Sequence, residues 1–132
     1  MTSFPESHQD LLKADVGTLT TNGADGYPQV SATWFLYDEE DGLIKLSLNN
    51  SRQKVKNLLA NPKVSFFILD PKNPYRTLEV RARAEVRPDE NYTFAKKLGA
   101  KYGGADLSTR DRPGETRMVV VLHPVKMNTY GS

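Results

Sequence analysis

The sequence predicts a mainly β fold of the α+β class: an antiparallel barrel of about six to seven strands with three helices. Short apolar segments recur along the chain, and several alternate strictly between apolar and polar residues, which is typical of half-buried strands. Turns rich in Gly, Asn and Asp, such as 22–26 and 38–42, separate them and favour antiparallel hairpins. Regular strand–helix alternation is absent before residue 51, which argues against a doubly wound α/β fold.

The elements predicted in the first half of the chain follow from this periodicity. In order they are a helix near 4–14, strands 16–21, 28–37 and 43–48, a helix over 51–60 and a strand over 64–69. Ser51 is the expected N-cap of the second helix, and Pro62 ends it. The run 64–69 is almost continuously apolar, which predicts a central strand.

The predicted strand 28–37 has two different faces. Val30, Ala32 and Trp34 fall on one face, and we expect Trp34, the only tryptophan, to pack in the core. The other face carries Gln29, Ser31 and Thr33. Small polar side chains of this kind allow a flat ring to lie close to a strand and to form hydrogen bonds at its rim. The alternative is a face turned to solvent.

The second half of the chain predicts a long strand over 77–87, a helix over 89–102, a polar loop over 104–115, and strands over 116–122 and 126–130. Asp89 is the expected N-cap of this helix, and Gly103 ends it. We found no linker or repeat, so 1–132 is expected to be a single domain.

Several classes of site are excluded by composition. The 132 residues include no cysteine, which removes disulfides, thiolate metal sites and a cysteine nucleophile. The two histidines, His8 and His123, lie at opposite ends of the chain and predict no metal site or catalytic triad. Glycine-rich phosphate loops and a nucleophile elbow are absent, so no catalytic residue is assigned. With no long apolar run and no signal sequence, we expect no membrane span and a cytoplasmic location.

The net charge of +2 conceals an uneven distribution along the chain. Residues 1–51 carry two basic and eight acidic side chains, whereas residues 52–87 carry nine basic and three acidic ones. The aromatic residues are dispersed and the overall charge is close to zero, which argues against binding to nucleic acid. The cationic middle third therefore indicates a small, multiply charged ligand.

A candidate phosphate site lies where the second helix begins. Arg52 and Lys54 fall in its first turn, where the positive end of the helix dipole disfavours cations unless an anion is bound. With an anion, the free N–H groups, the Ser51 hydroxyl and the two cations would converge. The alternative is a solvated helix with ordinary surface cations.

A second candidate is the loop Asn73-Pro74-Tyr75-Arg76, where an aromatic ring and a guanidinium group lie side by side. Tyr75 and Arg76 are suited to stacking on a ligand or reaching its anionic tail. The alternative is a hairpin loop with a packed tyrosine.

Three segments together resemble a known family. They are Gly26-Tyr27-Pro28-Gln29-Val30-Ser31, then Asn49-x-x-Arg52-x-Lys54-x-x-Asn57-Leu58-x-x-Asn61-Pro62, then Asp70-Pro71-x-Asn73-Pro74-Tyr75-Arg76-x-Leu78-Glu79-Val80-Arg81. In order and spacing the chain resembles the pyridoxamine 5′-phosphate oxidase-like split β-barrel superfamily. It is most similar to the branch of oxidoreductases that depend on the deazaflavin coenzyme F420.

This resemblance implies a homodimer with cofactor sites at the subunit interface. Arg52 and Lys54 would hold the cofactor phosphate, with Ser47, Asn49 and Ser51 nearby, and Tyr75 and Arg76 would come from the second subunit. The deazaflavin ring would lie against the strand that begins at residue 28, at Pro28, Gln29, Val30, Ser31 and Thr33.

The implied activity is hydride transfer between the deazaflavin and a small conjugated substrate, whose identity the sequence does not predict. Coenzyme F420 carries a phosphate and an oligoglutamate tail, so the cationic middle third suits it better than flavin mononucleotide (FMN). An FMN-binding oxidoreductase on the same barrel and a non-catalytic cofactor carrier are the alternatives.

Overall fold

The computed structural model describes residues 3–132 and contains one sheet of seven antiparallel strands. The strands are β1 (Gly17–Asn22), β2 (Pro28–Thr33), β3 (Leu36–Asp38), β4 (Leu43–Asn49), β5 (Lys63–Asp70), β6 (Asn73–Pro88) and β7 (Arg117–Tyr130). Their order in the sheet is β2-β1-β5-β6-β7-β4-β3, and every pair is antiparallel. The predicted mainly β class is confirmed.

The sheet curls because β2 and β3 lie at its opposite edges although only Trp34 and Phe35 separate them in sequence. Two residues span less than about 10 Å, so the two edges must approach each other. The expected single strand over 28–37 is therefore wrong. The chain leaves the edge strand β2 at Thr33 and joins the opposite edge strand β3 at Leu36. This crossing curls the sheet into a barrel that stays split between β2 and β3.

Three helices accompany the sheet, as predicted. The first is a 3-10 helix, Glu6–Lys13, and the others are α1 (Gln53–Ala60) and α2 (Thr93–Lys101). Shorter 3-10 turns occur at Glu90–Tyr92 and Leu107–Arg110. Among residues 3–132, no helix has the length and apolar character needed to cross a membrane.

The N-terminal end of α2 confirms one capping prediction and corrects its boundary. The carboxylate of Asp89 accepts hydrogen bonds from the N–H groups of Phe94 and Ala95, at 2.9 and 2.8 Å. The α-helix itself begins only at Thr93, because Asn91 and Tyr92 adopt left-handed φ values of 58° and 57°. Asp89 therefore caps the helix from across an irregular turn.

The last strand is longer than expected. The two strands predicted over 116–122 and 126–130 form the single strand β7, which pairs with β6 along its whole length. A register shift between Arg81 and Ala82 leaves Val125 as the extra residue of β7, and Pro124 pairs with Ala82. The tertiary ladder therefore continues through a proline that the sequence pattern takes as a boundary.

Two apolar clusters hold the fold together on opposite faces of β7. Val120 and Leu122 face the barrel interior with Leu19 and Phe66. Val119 and Val121 lie in a second cluster with Phe94, Ala95 and Leu98 of α2 and with Leu107 of the 3-10 turn. Burial on both faces explains why 119–122 is continuously apolar.

The faces of β2 are opposite to expectation. Ser31 pairs with Leu19, a core residue, so Gln29, Ser31 and Thr33 point towards the interior. Val30 lies on the outer face and is 61% exposed. β5 is an internal strand as predicted, but Phe67 and Leu69 lie on that same outer face and are also exposed.

Candidate functional site

A cavity of about 290 Å³ lies between β2, β4, the start of α1 and the 3-10 turn at Leu107–Arg110. Five of the residues predicted from the sequence line it: Thr33, Ser47, Asn49, Arg52 and Lys54. Two further cations, Arg110 and Arg117, line the same cavity. The candidate site therefore combines four cationic side chains with small polar groups.

Lys54 is the most unusual of these residues. Only 4% of it is exposed, and its Nζ donates to Ser31 Oγ at 3.1 Å. Within residues 3–132 no carboxylate lies within 4.0 Å of this ammonium group. Burial, together with the nearby charge of Arg52, lowers the pKa of Lys54. A buried cation without a counterion is costly, and a bound anion would offset that cost.

Ser47 supplies a second sign that the cavity accepts a ligand. Its hydroxyl oxygen is buried, yet among the described residues it has no hydrogen-bond partner. Buried hydroxyl groups are normally satisfied, so this group is suited to a polar ligand atom. The orphaned hydroxyl and the buried ammonium therefore fit an anionic, hydrogen-bonding group such as a cofactor phosphate.

The start of α1 differs in detail from the prediction. The N-cap is Arg52, not Ser51, and no side chain caps the helix. The Ser51 hydroxyl instead donates to Asn49 Oδ1, at 2.7 Å, and to the carboxylate of Glu115. The Ser51 hydroxyl is thus bonded to the loop before β7, and the N-terminal N–H groups of α1 have no side-chain acceptor.

A hydrogen-bonded network joins β2 to α1 beside the cavity. Asn57 Nδ2 donates to Gln29 Oε1 at 2.8 Å and to Thr21 Oγ1 at 3.0 Å, and Gln53 donates to Asn57 Oδ1. Pro28 and Gln29 also line a separate cavity of about 450 Å³ against the β1–β2 turn. This network links β2, which carries Ser31, to α1, which carries Lys54.

Arg117 lines the cavity, although the sequence pattern did not identify it as a site residue. It is 6% exposed and forms a salt bridge with Asp111, and it donates to the carbonyl oxygens of Leu107 and Ser47 at 3.2 and 3.4 Å. Tyr92 donates to the same Asp111 carboxylate. Arg117 lies directly opposite Asn49 across the β4–β7 ladder, a pairing that no local pattern reveals.

Trp34 was expected in the core but lies on the cavity wall. Its indole stacks on Tyr102 with centroids 4.1 Å apart and planes 4° from parallel. The guanidinium group of Arg110 lies over the indole at 4.7 Å. Because the chain crosses between the two sheet edges at residues 34–35, Trp34 leaves the alternation of β2.

Three residues predicted for the site, Val30, Tyr75 and Arg76, do not line this cavity within the same chain. Val30 and Tyr75 are exposed, at 61% and 75%. Arg76 is held by Asp10 and Asp70, with Nη1 at 2.9 and 3.0 Å from their carboxylates, and by the carbonyl oxygen of Ser7. This clasp ties the first helix to the β5–β6 hairpin. The contribution of these residues to a second subunit's site stays a prediction.

The described residues contain no cluster of three or more metal-ligating side chains. Both histidines form local contacts: His8 is buried and joins Ser7 to the carbonyl oxygen of Tyr130, while His123 pairs with Glu85. The side chains that line the cavity offer cationic groups for anion binding and polar groups for hydrogen bonding.

The sequence and the fold are similar to those of known proteins. A family model for pyridoxamine 5′-phosphate oxidase matches residues 4–131. The structure is similar to an F420 reductase, at 36% identity over 95% of this chain and 98% of the other, with a TM-score of 0.80. A conserved hypothetical protein from Mycobacterium tuberculosis is 23% identical over 96% of this chain and 84% of the other, with a TM-score of 0.77.

A haem storage protein from Vibrio cholerae shares the fold at 18% identity, with a TM-score of 0.75, over 98% of this chain and 96% of the other. No curated protein sequence matches the chain. The family match spans nearly the whole chain, and the relative with 36% identity spans it too. The chain therefore belongs to the pyridoxamine 5′-phosphate oxidase family of split β-barrels.

Proposed function

We propose that this protein is an F420-dependent oxidoreductase that transfers a hydride between the deazaflavin and a small conjugated substrate. The observation that carries the proposal is the buried ammonium group of Lys54, which has no carboxylate partner among residues 3–132 and lies in the same cavity as the unpaired Ser47 hydroxyl. An anionic cofactor group satisfies both. The similarity to an F420 reductase supports the choice of cofactor.

The cationic lining favours a ligand with several negative charges. Arg52 and Lys54 line the cavity with no carboxylate within 4.0 Å of either in the described part of the chain, and they belong to the segment 52–87, which carries nine basic and three acidic side chains. F420 presents a phosphate and tail carboxylates, whereas FMN presents its phosphate alone. Charge complementarity therefore supports F420 over FMN.

The chain's own residues bind and orient in this proposal. A bound deazaflavin supplies two-electron hydride chemistry. Lys54 and Arg52 hold its phosphate, Ser47 and Asn49 lie beside them, and the inward face of β2 supports the ring at Ser31 and Thr33. The network through Asn57 keeps β2 and α1 at a constant separation, which positions the ring for reaction.

We also propose that residues 1–132 form a single domain that assembles as a homodimer. Val30, Phe67 and Leu69 lie on one outer face of the sheet and are 61%, 39% and 45% exposed. Apolar side chains gathered on one sheet face mark an interaction surface. Tyr75 and Arg76 would then approach the site of the second subunit, as the family resemblance implies.

The test is a parallel binding titration of the purified protein with coenzyme F420, FMN and haem. We expect F420 to bind most tightly, and Lys54→Ala to weaken it at least a hundredfold. Lys56→Ala is the matched control, because Lys56 is an exposed lysine of the same helix. Binding of F420 that survives Lys54→Ala unchanged contradicts the site, and tight FMN binding without F420 binding contradicts the cofactor.

A further inference from the structure

The cavity wall opposite the start of α1 contains a stack of three side chains. Trp34 stacks on Tyr102, with ring centroids 4.1 Å apart, and the guanidinium group of Arg110 lies over the indole, 4.7 Å from its centroid. Trp34 and Arg110 both line the cavity, together with Leu98 and Leu107. This end of the cavity thus combines aromatic and apolar side chains with the guanidinium groups of Arg110 and Arg117.

The stack is held from both sides. The Tyr102 hydroxyl donates to the carbonyl oxygen of Asp15 at 2.7 Å and accepts from the N–H of Phe35 at 3.1 Å. On the other side, Leu107 is buried, and its carbonyl oxygen receives a hydrogen bond from Arg117. These contacts anchor the 3-10 turn that carries Arg110, so the guanidinium group is presented on a well-supported surface.

Arg110 keeps its charge available. Of the two arginines on this side of the cavity, Arg117 is neutralised by Asp111, whereas no carboxylate lies within 4.0 Å of Arg110 in the range 3–132. A guanidinium group supported by an aromatic face recognises a carboxylate through its planar fork. Arg110 is therefore suited to binding an anion.

This anion position is separate from the one at Lys54. Lys54 contacts Ser31, whereas Arg110 contacts Trp34, three residues further along the chain. The two cations are carried by different elements, Lys54 by α1 and Arg110 by the 3-10 turn at Leu107–Arg110. Each therefore offers its own anion contact to a ligand in the cavity.

We propose that Arg110 on the Trp34 face is a substrate subsite that takes the carboxylate of a planar, conjugated acceptor. The half-buried indole of Trp34, which lines the cavity, provides the apolar contact that such a molecule requires, whereas Leu98 and Leu107 are only 1% and 4% exposed. The assignment of this subsite to a substrate rests on the proposed function, in which Lys54 and Arg52 hold the cofactor phosphate. Arg110 then determines specificity for acidic over neutral acceptors.

Trp34 is the only tryptophan, so its fluorescence reports directly on this subsite. The probes are 4-nitrocinnamate and its uncharged amide, both planar, each with a nitro group that quenches indole emission. Each probe is titrated into the protein in a buffer that contains inorganic phosphate, which occupies the anion site at Lys54 and Arg52. The titrations are then repeated with saturating F420. We expect 4-nitrocinnamate to bind at least tenfold more tightly than the amide.

Arg110→Ala is expected to abolish that preference by weakening 4-nitrocinnamate at least tenfold while leaving the amide within twofold. Arg112→Ala, two residues along the same loop, is the matched control and keeps the preference. Arg110→Lys retains the charge and loses the planar fork, so an intermediate preference is expected. Equal binding of 4-nitrocinnamate to Arg110→Ala and to the unsubstituted protein overturns the inference.

F420 also carries carboxylates, and its own titration distinguishes the two sources. Arg110→Ala is expected to leave the dissociation constant of F420 within threefold, whereas Lys54→Ala raises it strongly. If Arg110→Ala weakens F420 as much as 4-nitrocinnamate, Arg110 belongs to the cofactor site and the substrate assignment is wrong. If F420 does not bind but the 4-nitrocinnamate preference persists and depends on Arg110, the proposed function fails and the carboxylate subsite is retained.

Discussion

The ammonium group of Lys54 lies 3.1 Å from the hydroxyl oxygen of Ser31, on the side of β2 that faces the interior. This contact joins the first turn of α1 to the edge strand of the sheet. A hydroxyl group satisfies one of the three ammonium protons and none of the charge. The relationship therefore leaves a buried positive charge at the place where the family resemblance expects a phosphate.

Lys54→Met is expected to raise the free energy of unfolding by about 1 kcal/mol in buffer without phosphate, because it removes a desolvated charge and keeps the side-chain length. Added inorganic phosphate should stabilise the unsubstituted protein and leave the variant unchanged. Chemical denaturation with and without phosphate measures both effects. A loss of stability above 1 kcal/mol in the variant would show that Lys54 serves the fold rather than a ligand.

Lys101 gives a pH-dependent prediction. Burial lowers its pKa to about 8 from an ordinary value of 10.5, although its Nζ donates to the carbonyl oxygens of Ala14 and Phe35 at 2.6 and 2.8 Å. Between these two values the unfolded chain holds the proton and the folded chain does not, so stability contributed by this group rises with pH.

The slope approaches at most about 1.4 kcal/mol per pH unit. Urea denaturation of the protein and of Lys101→Met, from pH 7 to 10.5, isolates this contribution as the difference between the two curves. We expect the difference to be constant below pH 8 and to grow above it in favour of the unsubstituted protein. A flat difference across the range would mean that the two carbonyl oxygens keep the ammonium group charged.

Asp111→Ala is expected to destabilise the fold by about 3–5 kcal/mol, because it leaves the buried guanidinium group of Arg117 without its counterion. Replacing both residues, as Asp111→Ala with Arg117→Met, should recover part of that loss. Glu79→Ala provides the comparison, since its 3.5 Å pair with Arg81 is partly exposed and should contribute less than about 1 kcal/mol. Thermal unfolding of the four proteins tests the order, and equal losses for Asp111→Ala and Glu79→Ala contradict it.

Phe67→Glu is expected to convert the proposed homodimer to a monomer, because it places a carboxylate on the outer face shared with Val30 and Leu69. The chain should still fold, since Phe67 is 39% exposed in a single copy. Leu59→Glu, at an exposed apolar position of α1, is the control and should leave the mass unchanged. Sedimentation velocity gives the mass, and a dimer that survives Phe67→Glu places the interface elsewhere.

Local patterns in the sequence predicted most of the strands, the three helices and the position of the Arg52 and Lys54 pair, since alternation and capping depend on neighbours along the chain. The orientation of β2 was predicted wrongly for a physical reason. An apolar alternation identifies two faces but does not say which one meets the core, and here the inward face is polar because it meets Lys54 and Asn57 of α1.

The sequence by itself determined the class of fold and the cationic start of α1, because both arise from residues within a few positions of one another. The tertiary structure alone decided what surrounds them. Arg117 reaches the site through the β4–β7 ladder, and Arg110 reaches it by lying on Trp34. These partners come from distant segments, and only the curling of the sheet, which joins its two edges at residues 34–35, brings their charges into one cavity.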